Sequence, residues 1–172
     1  MKNILKFTSI VLLTLSISCG GKEEKKEKFS YERTKSTATE KVETTGATTG
    51  TPASERVDLT NKGVGKIKEL TLPAEIDQTM VATGAEIFKL KCTACHKTHK
   101  KFIGPPPVNI LERRTPEWVM NMILDPEKMV AEDPLAKELL IEHNGSPMAN
   151  QSLTEQEARA VLEYFRTLKE EN

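Results

Sequence analysis

The C-terminal part of the sequence predicts an all-α domain. Its apolar residues recur at helical spacing, Thr-Pro and Asp-Pro pairs mark where helices begin, and no alternating strand pattern of useful length occurs. We place this domain at residues 72–172, after an apolar leader at residues 1–18 and a polar segment at residues 19–71. The three parts differ in composition and are expected to have different roles.

Four helices are predicted within the domain. Their expected first and last residues are Thr79 and Lys91, Thr115 and Asp125, Asp133 and Glu142, and Thr154 and Leu168. In the second and third helices a proline follows a Thr or Asp that can cap the helix, which is the usual order at a helix start. The last helix opens with the capping-box sequence Thr154-Glu155-Gln156-Glu157.

The leader has the features of a secretory signal peptide. It contains Lys2 and Lys6, no acidic residue, and an apolar run that ends before small residues and Cys19. This run has about 10 to 12 residues, fewer than the roughly 20 that a helix needs to cross a bilayer. The leader therefore predicts export from the cytoplasm rather than a membrane-spanning helix.

The end of the leader, Leu15-Ser16-Ile17-Ser18-Cys19-Gly20, resembles a bacterial lipobox. Its leucine lies four places before the cysteine, where the lipobox usually has it three places before. The resemblance implies cleavage after Ser18 and lipid modification of Cys19, which would anchor the protein on the periplasmic side of an outer or inner bacterial membrane. The alternative is an ordinary cleaved signal followed by an unmodified cysteine.

The polar segment, residues 19–71, begins with a run of Lys and Glu and continues through Thr, Ser, Gly and Ala. Such a composition buries too little apolar surface to offset the entropy lost on ordering, so a flexible tether is expected. The alternative is a partly ordered extension around Val57–Leu72 that packs on the domain.

Charge and cysteine content limit the function classes. Loss of Lys2 and Lys6 with the leader leaves 23 basic against 25 acidic side chains, so nucleic-acid binding is not indicated. With Cys19 assigned to lipid, the other two cysteines are Cys92 and Cys95, and a single close pair excludes a disulfide framework.

The sequence Cys92-Thr93-Ala94-Cys95-His96 has the C-x-x-C-H spacing of covalent haem attachment. Two thiols three residues apart can reach the two vinyl groups on one edge of a porphyrin and form thioethers. The next residue, His96, can then donate an imidazole nitrogen to the iron. We predict one covalent haem c, attached through Cys92 and Cys95, with His96 as an axial ligand.

Two other chemistries of this motif are less well supported. A structural zinc site needs four ligands, and the remaining histidines, His99 and His143, do not form a second pair at metal-ligand spacing. A thioredoxin-like redox pair is expected within a βαβ unit, which the sequence lacks.

The domain resembles class I monohaem cytochromes c over about residues 73–170. The matching features are Gly84 and Phe88 before the motif, Gly104-Pro105 after it, Pro147-Met148, and a final helix with Tyr164 and Phe165. The resemblance implies a small helical domain wrapped around one haem, with Met148 as the second axial ligand. It also implies that Gly84 lets the first and last helices cross closely and that Pro105 backs the His96 ring.

Alternatives remain for several of these residues. The iron could lack a sixth ligand or take His143 in place of Met148. Other methionines, Met120, Met122 and Met129, are expected to pack at the haem wall rather than bind iron. Trp118 either reaches a haem propionate through its indole N–H or is a plain core aromatic.

The expected function is electron transport, without chemical conversion of a substrate. The iron would exchange single electrons with a redox donor and acceptor, and the protein is expected to be a monomer. The alternative is a haem-based sensor or small-gas-binding protein, which requires a weak or missing sixth ligand. The stretches at 114–118 and 147–151 resemble cytochromes that accompany nitrous-oxide reductases, and a terminal oxidase is the rival destination.

Charge near the motif suggests what kind of partner binds. Residues 89–114 contain a single acid, Glu112, and seven basic residues, which are Lys89, Lys91, Lys97, Lys100, Lys101, Arg113 and Arg114. This basic stretch would steer an exposed haem edge towards an acidic surface of the partner. The alternative is a merely solvated basic loop.

Overall fold

Helices and connecting loops make up the described part of the chain, residues 50–170, in this computed structural model. The elements are α1 (Gln78–Lys91), a short 3-10 helix (Ile110–Glu112), α2 (Pro116–Leu124), α3 (Pro126–Glu132), α4 (Pro134–Glu142) and α5 (Glu155–Thr167). The same residues contain no β-strand beyond one isolated bridge and no helix long and apolar enough to span a bilayer. The predicted all-α fold is confirmed, whereas the leader, Cys19 and residues 20–49 lie outside the described range.

Side-chain caps define where the helices begin. Thr115 accepts a hydrogen bond from the Trp118 N–H at the start of α2, and Thr154 and Glu157 form the predicted capping box of α5. The second and third predicted helices, now α2 and α4, end within about a residue of their expected positions. Helix α3 was not predicted. The pair Asp125-Pro126 predicts the end of α2, and the structure shows that Asp125 also caps a second helix of seven residues.

Helices α1 and α5 cross in close contact at Gly84. A Cβ atom there would lie 2.0 Å from the carbonyl oxygen of Ala160, so only glycine permits this approach. Phe88 packs beside the crossing, with its ring centroid 5.7 Å from that of Tyr164 and 5.6 Å from that of Phe165. These contacts confirm what the family resemblance implied for Gly84 and Phe88.

A buried carboxylate on α5 fixes the chain just before α1. Glu163, only 1 % exposed, accepts hydrogen bonds from the Asp77 N–H at 3.0 Å and from Arg159 and Arg166 at 2.5 and 2.6 Å. Arg166 also donates to the carbonyl oxygen of Pro73. Burial by itself would raise the pKa of Glu163, but the hydrogen bonds and the two cations together hold it below its usual range.

Residues 51–72, here called the N-terminal strap, lie against helices α2, α3 and α4. Asn121 on α2 is 1 % exposed and binds the strap backbone through three hydrogen bonds, to the Ile67 N–H, the Ile67 carbonyl and the Lys62 carbonyl. Glu117, also on α2, accepts from the Leu70 N–H. Hydrogen bonds from buried side chains of α2 therefore hold the strap, and apolar side chains of the strap pack against the core.

The strap differs from the flexible tether expected for residues 19–71. The structure instead has the extension considered as the alternative for Val57–Leu72, and it continues back to Thr51. Composition did not reveal this order because the buried polar groups that hold the strap belong to α2, more than 40 residues away in the chain. The ordered domain thus begins about 20 residues before the predicted boundary at residue 72.

Arg114 is another buried link between the strap and the helices. It is 2 % exposed, and its guanidinium donates to the carbonyl oxygens of Ala53 and Arg56. Desolvation lowers the pKa of Arg114 from its ordinary value. The prediction that Arg114 is one of the surface charges of the basic stretch is therefore wrong, because the strap covers its guanidinium.

Replacing Glu163 with Gln tests the carboxylate that fixes the start of α1. The substitution leaves Arg159 and Arg166 without their anion, so we expect a loss of about 2 to 3 kcal/mol in the free energy of unfolding at pH 7. Because the pKa of Glu163 is lowered on folding, its contribution is present above the usual carboxyl pKa of about 4.3 and is lost as pH falls below it. Urea unfolding of both proteins across this pH range measures the effect.

The control is Glu155→Gln, which removes an exposed ion pair with Lys66. Such a pair contributes at most about 1 kcal/mol, so this variant should unfold close to wild type. Equal unfolding free energies for Glu163→Gln and Glu155→Gln at pH 7 would contradict the role assigned to Glu163.

Candidate functional site

A cleft runs between the C-x-x-C-H motif and the loop that precedes α5. It consists of two adjoining cavities of about 130 and 100 Å³. Both are lined by the same six residues, which are His96, Pro105, Ile110, Trp118, Met122 and Met148. Cys95 borders the first cavity and Cys92 borders the second. The predicted attachment residues and both predicted axial ligands therefore border one cleft.

The motif forms a tight turn at the end of α1. The Cys92 N–H bonds the Phe88 carbonyl at 2.9 Å, and the N–H groups of Cys95 and His96 bond the Cys92 carbonyl at 3.0 and 2.8 Å. The two thiols do not form a disulfide with each other, and burial raises the pKa of Cys92. Within residues 50–170, no three His, Cys, Asp or Glu side chains form a metal cluster that would support a zinc site.

His96 is oriented by a hydrogen bond to the following loop. Its Nδ1 lies 2.8 Å from the carbonyl oxygen of Pro105. Since a carbonyl can only accept, the proton is on Nδ1 and the lone pair is on Nε2. Burial lowers the pKa of His96, although the bond to Pro105 acts the other way, so the ring is neutral near pH 7. A neutral imidazole held through its other nitrogen has the form of a metal ligand.

Gly104 allows the ring of His96 to lie directly on the backbone. A Cβ atom at Gly104 would be 2.4 Å from Cε1 of His96, which is too close for any side chain. The Gly104 N–H also bonds the Cys95 carbonyl at 2.9 Å, closing the loop onto the motif. The Gly104-Pro105 pair therefore supplies both the space and the acceptor that position His96.

The methionines have different locations. Met148 is half-buried and borders both cavities, and Met122 forms part of the cleft wall as predicted. Met120 and Met129, 2 % and 0 % exposed, belong to the core and do not line either cavity. The expectation that all three helix methionines pack at the haem wall thus holds for Met122 only.

Trp118 contributes its ring to the cleft and its N–H to the core. The ring borders both cavities, while the indole Nε1 donates to Asp133 at 3.2 Å. Asp133 also caps α4. The proposed bond from the indole to a propionate is therefore replaced by one to Asp133, and the alternative of a core aromatic describes Trp118 better.

One end of the cleft is polar. Ser54 from the strap, Arg113, Arg114 and His143 all border the cavity that contains Cys95. Arg113 donates only to backbone carbonyls and, like Arg114, forms no ion pair with a carboxylate of the described residues. A buried cation, Arg114, and a partly buried one, Arg113, neither paired with an anion among the described residues, favour a ligand with carboxylate groups. The sequence does not predict that Ser54, Arg113 and Arg114 border the cleft, although two arginines directly before a helix cap are a signal for an anion site.

The donor set of the cleft fits a haem. Its walls are mostly apolar, as a porphyrin ring requires, and an oriented imidazole lone pair is available for iron. Two thiols border the cleft, and the guanidinium groups at its polar end would supply cations for the carboxylates of a haem.

His143 is the second histidine at the polar end. It follows α4, is 5 % exposed, and has its Nδ1 2.9 Å from the Ile103 carbonyl oxygen. Its Nε2 is buried and has no hydrogen-bond partner among the described residues. The structure thus places both sequence candidates for a second ligand, Met148 and His143, on the cavity shared with His96.

Comparison with known proteins identifies the family. The family model described as cytochrome c matches residues 81–169, more than half of the chain. The chain belongs to the cytochrome c family. Members of this family bind covalent haem c and transfer electrons through it, and the cysteines required for attachment are present here as Cys92 and Cys95. The family assignment therefore confirms the predicted cofactor, one covalent haem c.

Solved structures agree with the family assignment. A cytochrome c from Rhodothermus marinus is 35 % identical, with 68 % of this chain and 93 % of that chain covered and a TM-score of 0.59. An engineered form of the R. marinus protein, Rma TDE, is 34 % identical with 68 % and 94 % covered and a TM-score of 0.59. Another structure of that engineered protein contains a bound carbene intermediate, at 34 % identity, the same coverage and a TM-score of 0.56. No curated protein matches the chain.

Replacing Gly104 with Ala tests the packing of His96. The added methyl group would lie 2.4 Å from Cε1 of the ring, so the ring or the loop must shift. We expect overpacking to cost about 1 to 3 kcal/mol of stability in denaturant unfolding of the haem-loaded protein. The control is Gly50→Ala, where a Cβ meets nothing within 4 Å. If both variants unfold like wild type, His96 is not held against Gly104 as described.

Proposed function

We propose that this cytochrome c is an electron carrier in which Cys92 and Cys95 attach the haem and His96 and Met148 bind the iron from opposite faces. The observation that carries this proposal is that His96 and Met148 border both halves of one cleft, whose sides also hold the two thiols. When bound, the haem supplies the one-electron exchange between ferric and ferrous iron.

The side chains of the cleft suit this role. The Pro105 carbonyl keeps the proton of His96 on Nδ1 and the lone pair on Nε2, so His96 can bind without first losing a proton. A methionine thioether opposite the imidazole favours the ferrous state and raises the reduction potential. Trp118, Met122 and Ile123 form apolar walls that limit the access of water. Because little water surrounds the haem, little solvent has to rearrange during electron exchange.

The same residues argue against a sensor or an enzyme. A small-gas sensor needs an open or weakly held sixth position, and Met148 borders the cleft where it can fill that position. We therefore propose that the protein is an electron carrier and not an enzyme. The carbene intermediate is bound to an engineered relative and is a property of that protein.

The surface beside Cys95 suits an acidic redox partner. Cys95 is exposed, and the half-exposed Phe102 and Ile103 belong to the loop whose Gly104 N–H bonds the Cys95 carbonyl. Lys100 and Lys101 on the same loop are exposed. An apolar centre with neighbouring lysines allows close approach to the haem edge and favours an acidic docking surface.

The proposed location rests on the leader and Cys19, which lie outside the described residues, and the proposed pathway rests on the stretches at 114–118 and 147–151. We propose a monomer held by a lipid on Cys19 at the periplasmic face of an outer or inner membrane, in a respiratory chain. The acceptor is a nitrous-oxide reductase or a terminal oxidase. Electron donation to each purified enzyme, measured by stopped-flow spectroscopy, distinguishes them, and an acidic partner requires that the rate fall as salt rises. Failure to reduce nitrous-oxide reductase at a useful rate removes the first acceptor.

The absorption spectrum of the ferric protein tests the axial ligands. A far-red band, which arises from a thioether bound to ferric haem iron, should be present in wild type and absent from Met148→Ala. Met122→Ala is the matched control, because Met122 borders the same cleft but is not a proposed ligand, and its band should remain. Absence of the band from the wild-type protein would show that Met148 is not the resting ligand and would favour a sensor.

A further inference from the structure

The cleft contains a second imidazole that the proposed function does not use. His143 borders the same cavity as His96 and Met148, at the junction of α4 and the loop that carries Met148. Its side chain is 95 % shielded from solvent.

The hydrogen bond of His143 defines which nitrogen has the lone pair. Nδ1 lies 2.9 Å from the Ile103 carbonyl oxygen, so Nδ1 carries the proton and Nε2 is the unprotonated nitrogen of the neutral ring. This Nε2 is buried and has no hydrogen-bond partner among the described residues. His143 therefore has the same arrangement as His96, which is bonded through Nδ1 to Pro105.

The unpartnered nitrogen needs a group that accepts a lone pair or donates a hydrogen. The described residues offer no donor to it. Haem propionates are acceptors and cannot satisfy a neutral Nε2, whereas haem iron binds such a lone pair readily. A backbone carbonyl on the other ring nitrogen is also the usual second contact of a metal-bound histidine.

The loop between His143 and α5 has no backbone–backbone hydrogen bonds around Met148 within the described chain. Asn144 and Gly145 both have left-handed backbone angles, with φ of 58° and 70°. Residues 144–147 are exposed, and from Pro147 to Gln151 the described backbone forms no backbone–backbone hydrogen bond. Met148 therefore lies on a segment that, within residues 50–170, only side-chain hydrogen bonds at Asn150 and Gln151 hold, whereas His143 is attached to the end of α4.

We propose that His143 is a reserve axial ligand that binds the haem iron through Nε2 whenever the sulfur of Met148 is not available. The exchange breaks one iron–sulfur bond and forms one iron–nitrogen bond, with no electron transferred and no proton released. Replacing a thioether by imidazole lowers the reduction potential, so the exchange would convert a good electron acceptor into a poorer one. This inference rests on the proposed ligation by Met148.

Spectra of the ferric protein with Met148 removed test the inference. Met148→Ala should remain low-spin, with the electron paramagnetic resonance of a bis-histidine haem. Met148→Ala combined with His143→Leu should become high-spin. This double variant should also bind added imidazole more tightly than Met148→Ala alone, because no protein ligand competes for the iron. The matched control is Met148→Ala combined with His99→Leu, because His99 is an exposed imidazole that does not border this cavity. This control should stay low-spin.

Three outcomes separate the two proposals. A high-spin Met148→Ala protein, indistinguishable from the double variant with His143→Leu, overturns the reserve ligand while leaving Met148 as the resting one. A low-spin spectrum that survives His143→Leu assigns the ligand elsewhere and also overturns it. A wild-type protein without the far-red band contradicts the proposed function itself. Should His143→Leu fold poorly, His143→Gln keeps the side chain polar and cannot give a bis-histidine spectrum, so it provides the same test.

Discussion

The close approach of α1 and α5 at Gly84 is the constraint on which the site depends. With the Gly84 backbone against the Ala160 carbonyl, the end of α1 has a fixed position relative to the core. The C-x-x-C-H turn continues from that end through hydrogen bonds to Phe88 and Cys92. The thiols and His96 are therefore placed by helix packing, and the Gly104-Pro105 loop needs only to orient the imidazole.

The other side of the cleft is built from a different set of contacts. Helix α2 presents Trp118 and Met122 to the cavity and buries polar side chains that bind the strap. The strap in turn brings Ser54 to the polar end of the cleft, where it hydrogen-bonds Glu142 next to His143. One helix thus links the ordering of the N-terminal strap to the shape of the haem site.

Sequence patterns predicted the parts of this domain whose signals are local. Caps and periodicity predicted α1, α2, α4 and α5, and the motif predicted the covalent haem and its two cysteines. They did not predict α3, whose seven residues are too few to show a period. They also missed the strap and the burial of Arg114, because both depend on bonds between residues distant in sequence.

A redox titration of the purified protein, followed by absorbance with and without carbon monoxide, tests the central claim that His96 and Met148 keep the iron closed during electron exchange. An electron carrier gives one reversible one-electron transition. Its midpoint potential is the same with and without carbon monoxide, because ferrous iron with two protein ligands has no free coordination site. A midpoint that rises under carbon monoxide would show that the ferrous iron binds the gas, and would contradict the account in favour of a sensor.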